Sequence, residues 1–172
     1  MTAKTHIVGG ILVAEALCLA LGVRDPSVAL PCYAAAAIGA LLPDIDHTDS
    51  KIAHANVLTR TVALVMSAVT RHRGFCHTPV FILVITALAS GVAALAGFPT
   101  GWQLVAGCLC AGMVSHLALD TLNPMGIMWA WPVRRRRYSL SAIRTDSLAE
   151  WAVFAALLLP ALLLIRMATL TA

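Results

Sequence analysis

The chain has 172 residues, of which 60% are hydrophobic and 12% are charged, and its mean hydropathy is +0.86. This composition excludes an ordinary soluble domain and indicates a polytopic membrane protein, and the length suits a single domain over residues 1–172. The net charge of +4 is explained by basic loops on the cytoplasmic side of a membrane, so we expect no nucleic-acid partner.

Five segments are apolar and long enough to cross a bilayer, which needs about 17 to 25 residues. They are residues 6–23, 28–43, 77–97, 102–122 and 148–168. A further apolar segment, residues 57–70, is shorter and contains Arg60, which favours an interfacial or re-entrant helix. The predicted fold is an all-α polytopic membrane helical bundle of about five transmembrane spans plus one interfacial or re-entrant helix.

The basic residues indicate the orientation of this bundle. If residues 57–70 do not cross, ten of the twelve lysines and arginines share one face, and only Arg24 and Arg166 lie on the other. The positive-inside rule makes the first face cytoplasmic. The same face then holds all six histidines and six of the eight acidic residues. We therefore predict a multi-pass inner-membrane protein with its N-terminus and this polar cluster on the cytoplasmic side.

Candidate metal ligands stand at the start of the first span and just after the end of the second. His6 opens span one, and Glu15 lies about 13 Å deeper by helical rise. Pro43 ends span two, so Asp44, Asp46 and His47 are expected in an extended or turn segment, where alternate residues share a side. The alternative for these residues is a loop with solvated acids, and we expect His54 further along to be the weakest candidate.

A second pair of histidines, His72 and His77, stands before span three. Arg73 between them could bind a phosphate or carboxylate group through paired hydrogen bonds. The alternative is a basic anchor at the membrane surface, which explains Arg73 but not His77 at the head of an apolar span.

The remaining polar groups belong to spans four and five. His116 and Asp120 are four residues apart, which places them on one helix face, as metal ligands or as a local hydrogen-bonded pair. Ionisable groups in a membrane helix are costly and usually functional, which favours ligands. Glu150 begins span five and could serve as ligand or base, and Asp146 is expected to cap that helix. The run of four arginines at residues 134–137 is interpreted as a cytoplasmic charge lock with affinity for anionic lipid head groups.

The cysteines do not predict a sulfur-based site. The chain has five of them and no Cys-x-x-Cys pair, so neither a disulfide framework nor a thiolate zinc site is expected. Cys76, between the two histidines before span three, is interpreted as a bystander.

Together these segments resemble the family of bacterial membrane-bound metal-dependent hydrolases that includes a LexA-regulated inner-membrane member. The resemblance covers nearly the whole chain in order, and this chain departs from the family at Cys76, where Ser or Thr is common, and at Asn123, where Thr is frequent. The matching segments are Thr5-His6, Leu41 to His47 with Ser50, His72 to His77, Ser115-His116, Leu119-Asp120, Asn123-Pro124, Gly126, Trp131-Pro132 and Glu150.

This resemblance implies a hydrolase of the bacterial inner membrane. A looser similarity to zinc-dependent phospholipase C implies clustered zinc. Under that second similarity, six residues would bind the metal ions: His6, Asp44, either His72 or His77, His116, Asp120 and Glu150.

The sequence thus favours a metallohydrolase that cleaves a lipid or lipid-linked phosphoester or ester. One to three divalent ions are expected, with two zinc ions favoured. The predicted ligands are His6, Asp44, Asp46, His47, His72, His77, His116 and Asp120. Glu150 or Asp46 is the predicted general base, and Arg73 is expected to stabilise charge on the phosphoryl oxygens. The alternatives are an ion transporter and a structural protein with a metal staple.

Overall fold

The computed structural model describes residues 1–46, 54–55, 57, 59–61, 63–64, 74–99 and 101–170. Across these residues the protein is helical, as predicted. The helices of four turns or more are α1 (Ala3–Ala20), α2 (Pro26–Gly39), α3 (Pro79–Leu95), α4 (Gly101–Asp120) and α5 (Leu148–Leu170). Leu42–Asp46 and Phe75–His77 form short 3-10 helices.

Four helical segments are long and apolar enough to span a bilayer. These are Ala3–Ala20, Pro26–Asp46, Gly101–Asp120 and Leu148–Arg166. The remaining predicted span, α3, is apolar but has 17 residues, the short end of the range for a membrane crossing. In the segment 57–70, residues 57, 59–61 and 63–64 are helical, and the rest of that prediction lies outside the described residues.

The segment after α2 differs from its prediction. Instead of an extended or turn stretch after Pro43, Leu42–Asp46 is a 3-10 helix, in which the backbone N–H of Asp44 donates to the carbonyl oxygen of Leu41. Proline is tolerated in the first turn of a helix because its missing N–H would have no intrahelical partner there. Pro43 therefore begins a tighter helical turn rather than ending helical structure.

Side-chain caps fix where three of the helices begin. Asp25 and Thr78 accept from the backbone N–H groups of Ser27 and Phe81, and each is followed by a proline in the first helical position. For α5 the prediction of Asp146 as cap is wrong. Asp146 has φ of 60°, in the left-handed region, and the hydroxyl of the next residue, Ser147, accepts from the N–H of Glu150.

Helix α4 is central to the bundle, because it packs against α1, α2 and α3, while α1 also packs against α2 and α5. Glycines permit these contacts. A Cβ at Gly112 of α4 would overlap the carbonyl oxygen of Ala36, and one at Gly39 of α2 would overlap that of Leu109. Small residues at such positions let membrane helices approach until their backbones touch. The end of α2 is thereby held against the second half of α4.

A substitution at this contact tests its importance. Gly112→Ala is expected to push α2 away from α4 and to lower the free energy of unfolding by about 1–3 kcal/mol, the usual cost of overpacking. Thermal unfolding in detergent measures the loss. Gly107→Ala is the matched control on the same helix, because a Cβ there meets nothing within 4 Å. Equal changes in Tm for the two variants would contradict the close-contact interpretation.

Candidate metal centre

Five of the predicted ligands meet at one end of the bundle. His6 comes from the first turn of α1, Asp44 from the 3-10 helix after α2, and His77 from the one before α3, while His116 and Asp120 come from the end of α4. Four of these side chains are buried, and that of Asp44 remains 23% exposed. The cluster is therefore largely sheltered from water but not closed.

Four donor atoms surround the middle of this cluster and are called the four-atom group here: His77 Nε2, His116 Nε2, Asp44 Oδ1 and Asp120 Oδ2. Those of Asp44, His77 and His116 all lie within 4.8 Å of one another. The Nε2 atoms of His77 and His116 are 3.3 Å apart. Asp44 Oδ1 lies 3.4 Å from the first and 3.7 Å from the second. Asp120 Oδ2 lies 3.9 Å and 3.8 Å from the same two atoms. Ligands about 2.0–2.2 Å from a tetrahedral zinc ion are about 3.3–3.6 Å from one another. The atoms of Asp44, His77 and His116 have nearly this spacing, and Asp120 Oδ2 stands slightly farther from the two histidines.

The outer ring nitrogens of the two histidines are held by neighbouring groups. His116 Nδ1 donates to the carbonyl oxygen of Ala40 at 2.7 Å, which leaves its Nε2 unprotonated in the neutral ring and able to bind a metal. His77 Nδ1 lies 3.5 Å from Asp46 Oδ2. Metal-binding histidines usually have such carbonyl or carboxylate partners, which fix the ring orientation.

The carboxylates also set the protonation of His77, which stands between α2 and α3. Burial by itself would lower the pKa of this imidazole. The contacts with Asp44 and Asp46 outweigh that effect and raise the pKa above its ordinary value. The negative charge around His77 therefore favours a cation at this position, whether a proton or a metal ion.

Asp120 faces histidines on two sides. Its Oδ2 belongs to the four-atom group, whereas its Oδ1 lies 3.5 Å from His6 Nε2 and accepts from Asn123 Nδ2 at 2.6 Å and from the amino group of Met1 at 2.8 Å. The His6 ring stacks on His116 with centroids 3.8 Å apart. Both His6 nitrogens are buried without a hydrogen-bond partner among the described residues. This side of Asp120 therefore offers a second, incomplete set of ligands.

The remaining predicted site residues are placed differently. Asp46 lies beside Nδ1 of His77, whereas the four-atom group contains Nε2 of the same ring. At that position Asp46 can orient the ring but is poorly placed to bind the metal itself. His54 is exposed. His47, His72 and Arg73 lie outside the described residues.

Glu150 joins α5 to the start of α1. Its carboxylate accepts from the backbone N–H of Thr2, from Thr5 Oγ1 at 3.0 Å and from the N–H of Asp146 at 2.7 Å. These contacts occupy both of its oxygens and indicate a structural role. The assignment of Glu150 or Asp46 as general base stays a prediction.

A cleft of about 210 Å³ lies beside Glu150, between the first turns of α1 and α5. Met1, which contacts Asp120, is followed by Thr2 in the cleft wall, so the cleft and the histidine cluster are neighbours. The lining residues are Thr2, Ala3, Lys4, Thr5, Asp146, Glu150, Trp151 and Phe154.

Two supporting contacts were not predicted as part of the site. The carbonyl of Ala40 has no sequence signal, because any residue supplies one. Asn123 did have a signal, since it stands three residues after Asp120 in the turn that ends α4.

The fold and the cluster define a class: a helical membrane protein with buried histidines and carboxylates gathered at one end of its bundle. Within that class, the profile of the family described as YdjM inner membrane protein matches residues 1–171, and the chain belongs to this family.

The relatives agree with this assignment. A Bacillus subtilis (strain 168) protein, "Uncharacterized protein YvsG", is 35% identical over 159 residues, which cover 92% of this chain and 91% of the relative. "Inner membrane protein YdjM" of Escherichia coli (strain K12) is 33% identical over 118 residues, or 64% of this chain and 50% of the relative, and the Shigella flexneri protein of the same name matches equally. No solved structure matches the chain. The family and these relatives support a location in the bacterial inner membrane.

The structural role of Glu150 can be tested directly. Glu150→Ala is expected to lower the free energy of unfolding by about 1–3 kcal/mol, because the buried Thr5 hydroxyl and two part-buried N–H groups lose their acceptor. Thermal unfolding in detergent measures this loss. Glu150→Gln is the matched control and should lose less, because the amide oxygen still accepts. An unchanged Tm in Glu150→Ala would show that the carboxylate does not hold α5 to α1.

Proposed function

We propose that this protein is a membrane-embedded, metal-dependent hydrolase that cleaves a phosphoester or ester bond in a lipid or lipid-linked substrate. The observation that carries the proposal is the meeting of Asp44, His77 and His116, whose donor atoms are 3.3–3.7 Å apart, with Asp120 Oδ2 3.8–3.9 Å from the two histidines. Buried carboxylates in apolar surroundings are stable when they are paired or coordinate a metal.

The donor set favours zinc. Imidazole nitrogens and carboxylate oxygens are common zinc ligands, and the spacing among Asp44, His77 and His116 is near that of zinc ligands. The residues that would hold a second ion are His6, His116 and Asp120, whose ligand atoms lie within 4.8 Å of one another. Two ions are therefore the favoured number.

Divalent ions in such a pair of positions activate water and stabilise negative charge on the oxygens of the reacting group. The chain's own contribution is preorganisation: Ala40 and Asp46 fix the histidine rings, and Asn123 fixes Asp120. In the proposed reaction, the oxygen of water forms a bond to the phosphorus or acyl carbon. The bond to the leaving oxygen breaks, and that oxygen takes up the proton released by water.

The position of the cluster supports a membrane-borne substrate. The cluster lies at the end of apolar helices, and the exposed part of Asp44 gives access from the surface. The adjacent cleft combines Lys4 and two threonines with the apolar rings of Trp151 and Phe154, which suits a polar head group attached to a hydrocarbon chain. The exposed arginines 134–137 would attract anionic head groups.

Metal binding is tested by Zn²⁺ titration of metal-free protein in detergent, with bound metal measured by elemental analysis. Asp44→Ala and His77→Ala are expected to lose the tightly bound ion, and Asp46→Asn to weaken it by about 10–100-fold, the effect of losing an orienting partner. His54→Ala is the control, because that histidine is exposed, and it should bind as the unaltered protein does. Equal loss in His54→Ala would contradict the assignment.

Hydrolysis is tested with zinc-loaded protein and a panel of phospholipids, lipid-linked phosphates and lipid esters. We expect metal-dependent product formation that Asp44→Ala abolishes and His54→Ala preserves. Stoichiometric zinc without hydrolysis of any substrate would count against an enzyme. Uptake of labelled metal into proteoliposomes, lost in His116→Ala, would favour the transport alternative.

A further inference from the structure

A second cluster of metal-ligating side chains lies deeper in the bundle. Cys18 of α1, Cys32 of α2 and Cys108 of α4 have their sulfur atoms within 4.8 Å of one another. All three side chains are buried, with exposures of 0–1%. The spacing of the cysteines along the chain predicted no thiolate site, but helix packing brings three of them together.

An acidic side chain accompanies the sulfurs. Glu15 lies three residues before Cys18, on the same face of α1, and interacts electrostatically with it. Glu15 is 3% exposed, and neither of its carboxyl oxygens has a hydrogen-bond partner among the described residues. A buried carboxylate without partners is costly when ionised, so a nearby cation would stabilise it.

The surroundings of the cluster are apolar and separate from the histidine centre. Ala14 and Ala36 pack with the three cysteines, and Leu17, Leu104 and Val105 lie against them. Cys108 is eight residues from His116, and Cys18 is twelve from His6, which corresponds to about 12 Å and 18 Å along the helices. The two clusters therefore cannot share an ion.

We propose that Cys18, Cys32 and Cys108 form a second metal site, for a thiophilic divalent ion such as Zn²⁺. Glu15, which lies outside the group of three sulfurs within 4.8 Å, would turn toward the ion as the fourth ligand. Thiolates select such ions, and a tetrahedral zinc–thiolate site has sulfurs about 3.8 Å apart, so the three sulfurs need move inward by about 1 Å at most. On binding, the three thiol protons leave for solvent, and the divalent ion offsets two of the three negative charges that this creates on the sulfurs. This proposal does not depend on the hydrolase.

The test uses Cd²⁺ as a probe on the reduced, metal-free, full-length protein in detergent. Cadmium bound to sulfur absorbs ultraviolet light by ligand-to-metal charge transfer, whereas cadmium bound to histidine and carboxylate lacks that absorption. We expect the absorption to saturate at about one ion per chain and to persist in Asp44→Ala, which removes the other centre. Absence of the absorption would overturn the proposal and leave the cysteines as small apolar side chains.

Variants assign the ligands. Cys18→Ser and Cys108→Ser should lose saturable absorption, while Cys110→Ser, on the same helix but outside the cluster, should keep it. Glu15→Gln should bind at least about tenfold more weakly, since losing even an outer partner costs that much. Unchanged Cd²⁺ affinity in Glu15→Gln would remove Glu15 from the site. Equal loss in Cys110→Ser would overturn the cluster.

A measurement on the unaltered protein guards against variants that fail to fold. The ¹¹³Cd NMR signal of the unaltered protein should include a resonance at the low-field shifts of sulfur-rich coordination, well separated from that of an ion held by nitrogen and oxygen ligands. Absence of any sulfur-range resonance at saturating Cd²⁺ would overturn the site.

Discussion

The histidine centre depends on the close approach of α2 and α4. Gly39 and Gly112 let the two backbones meet, and this brings the carbonyl oxygen of Ala40 within 2.7 Å of His116 Nδ1. That bond uses the outer nitrogen of His116 and turns the inner one toward His77 and Asp44. Packing of residues without ionisable groups therefore determines the protonation and direction of the side chain at the middle of the centre. A methyl group at either glycine would alter both the protonation and the direction of the His116 ring.

The ends of the helices have a different role. His6, Asp44, His77 and Asp120 lie in first turns, last turns or 3-10 helices, where the chain enters or leaves the bundle. Groups at such positions can be brought together without placing charge at the middle of the bilayer, where it costs most. Each segment brings few polar groups, and the centre exists only when the helices are packed. Folding and assembly of the centre are thus one event.

The sequence predicted the architecture and most of the centre. Apolar length and composition were enough for the all-α bundle, and alternation of helix direction was enough to bring His6, Asp44, His77, His116 and Asp120 to one end. The local geometry could not be predicted in the same way. Pro43 was taken to end helical structure, whereas it begins a 3-10 turn, and Asp46 turned out to face the outer nitrogen of His77.

The cysteine cluster shows why other contacts escaped prediction. Sequence patterns such as Cys-x-x-Cys detect ligands that are neighbours in the chain. Cys18, Cys32 and Cys108 come from three helices, and their proximity depends on the rotation of each helix about its axis. Three nearly uniform apolar helices give little indication of that rotation, because hydrophobic residues surround each one. The contact with the carbonyl of Ala40 could not be predicted for a related reason, since every residue has a backbone carbonyl and the residue type gives no indication of it.

If the centre holds the two proposed ions, the division of Asp120 between two histidine-lined positions affects the order in which they bind. One anion would serve both positions, so the first ion to arrive withdraws electron density that the second would need. The two ions would then bind in sequence, the first tightly and the second more weakly. At low metal concentration each protein molecule would hold a single ion. The fraction of molecules with two bound ions would rise with the metal concentration of the surrounding compartment.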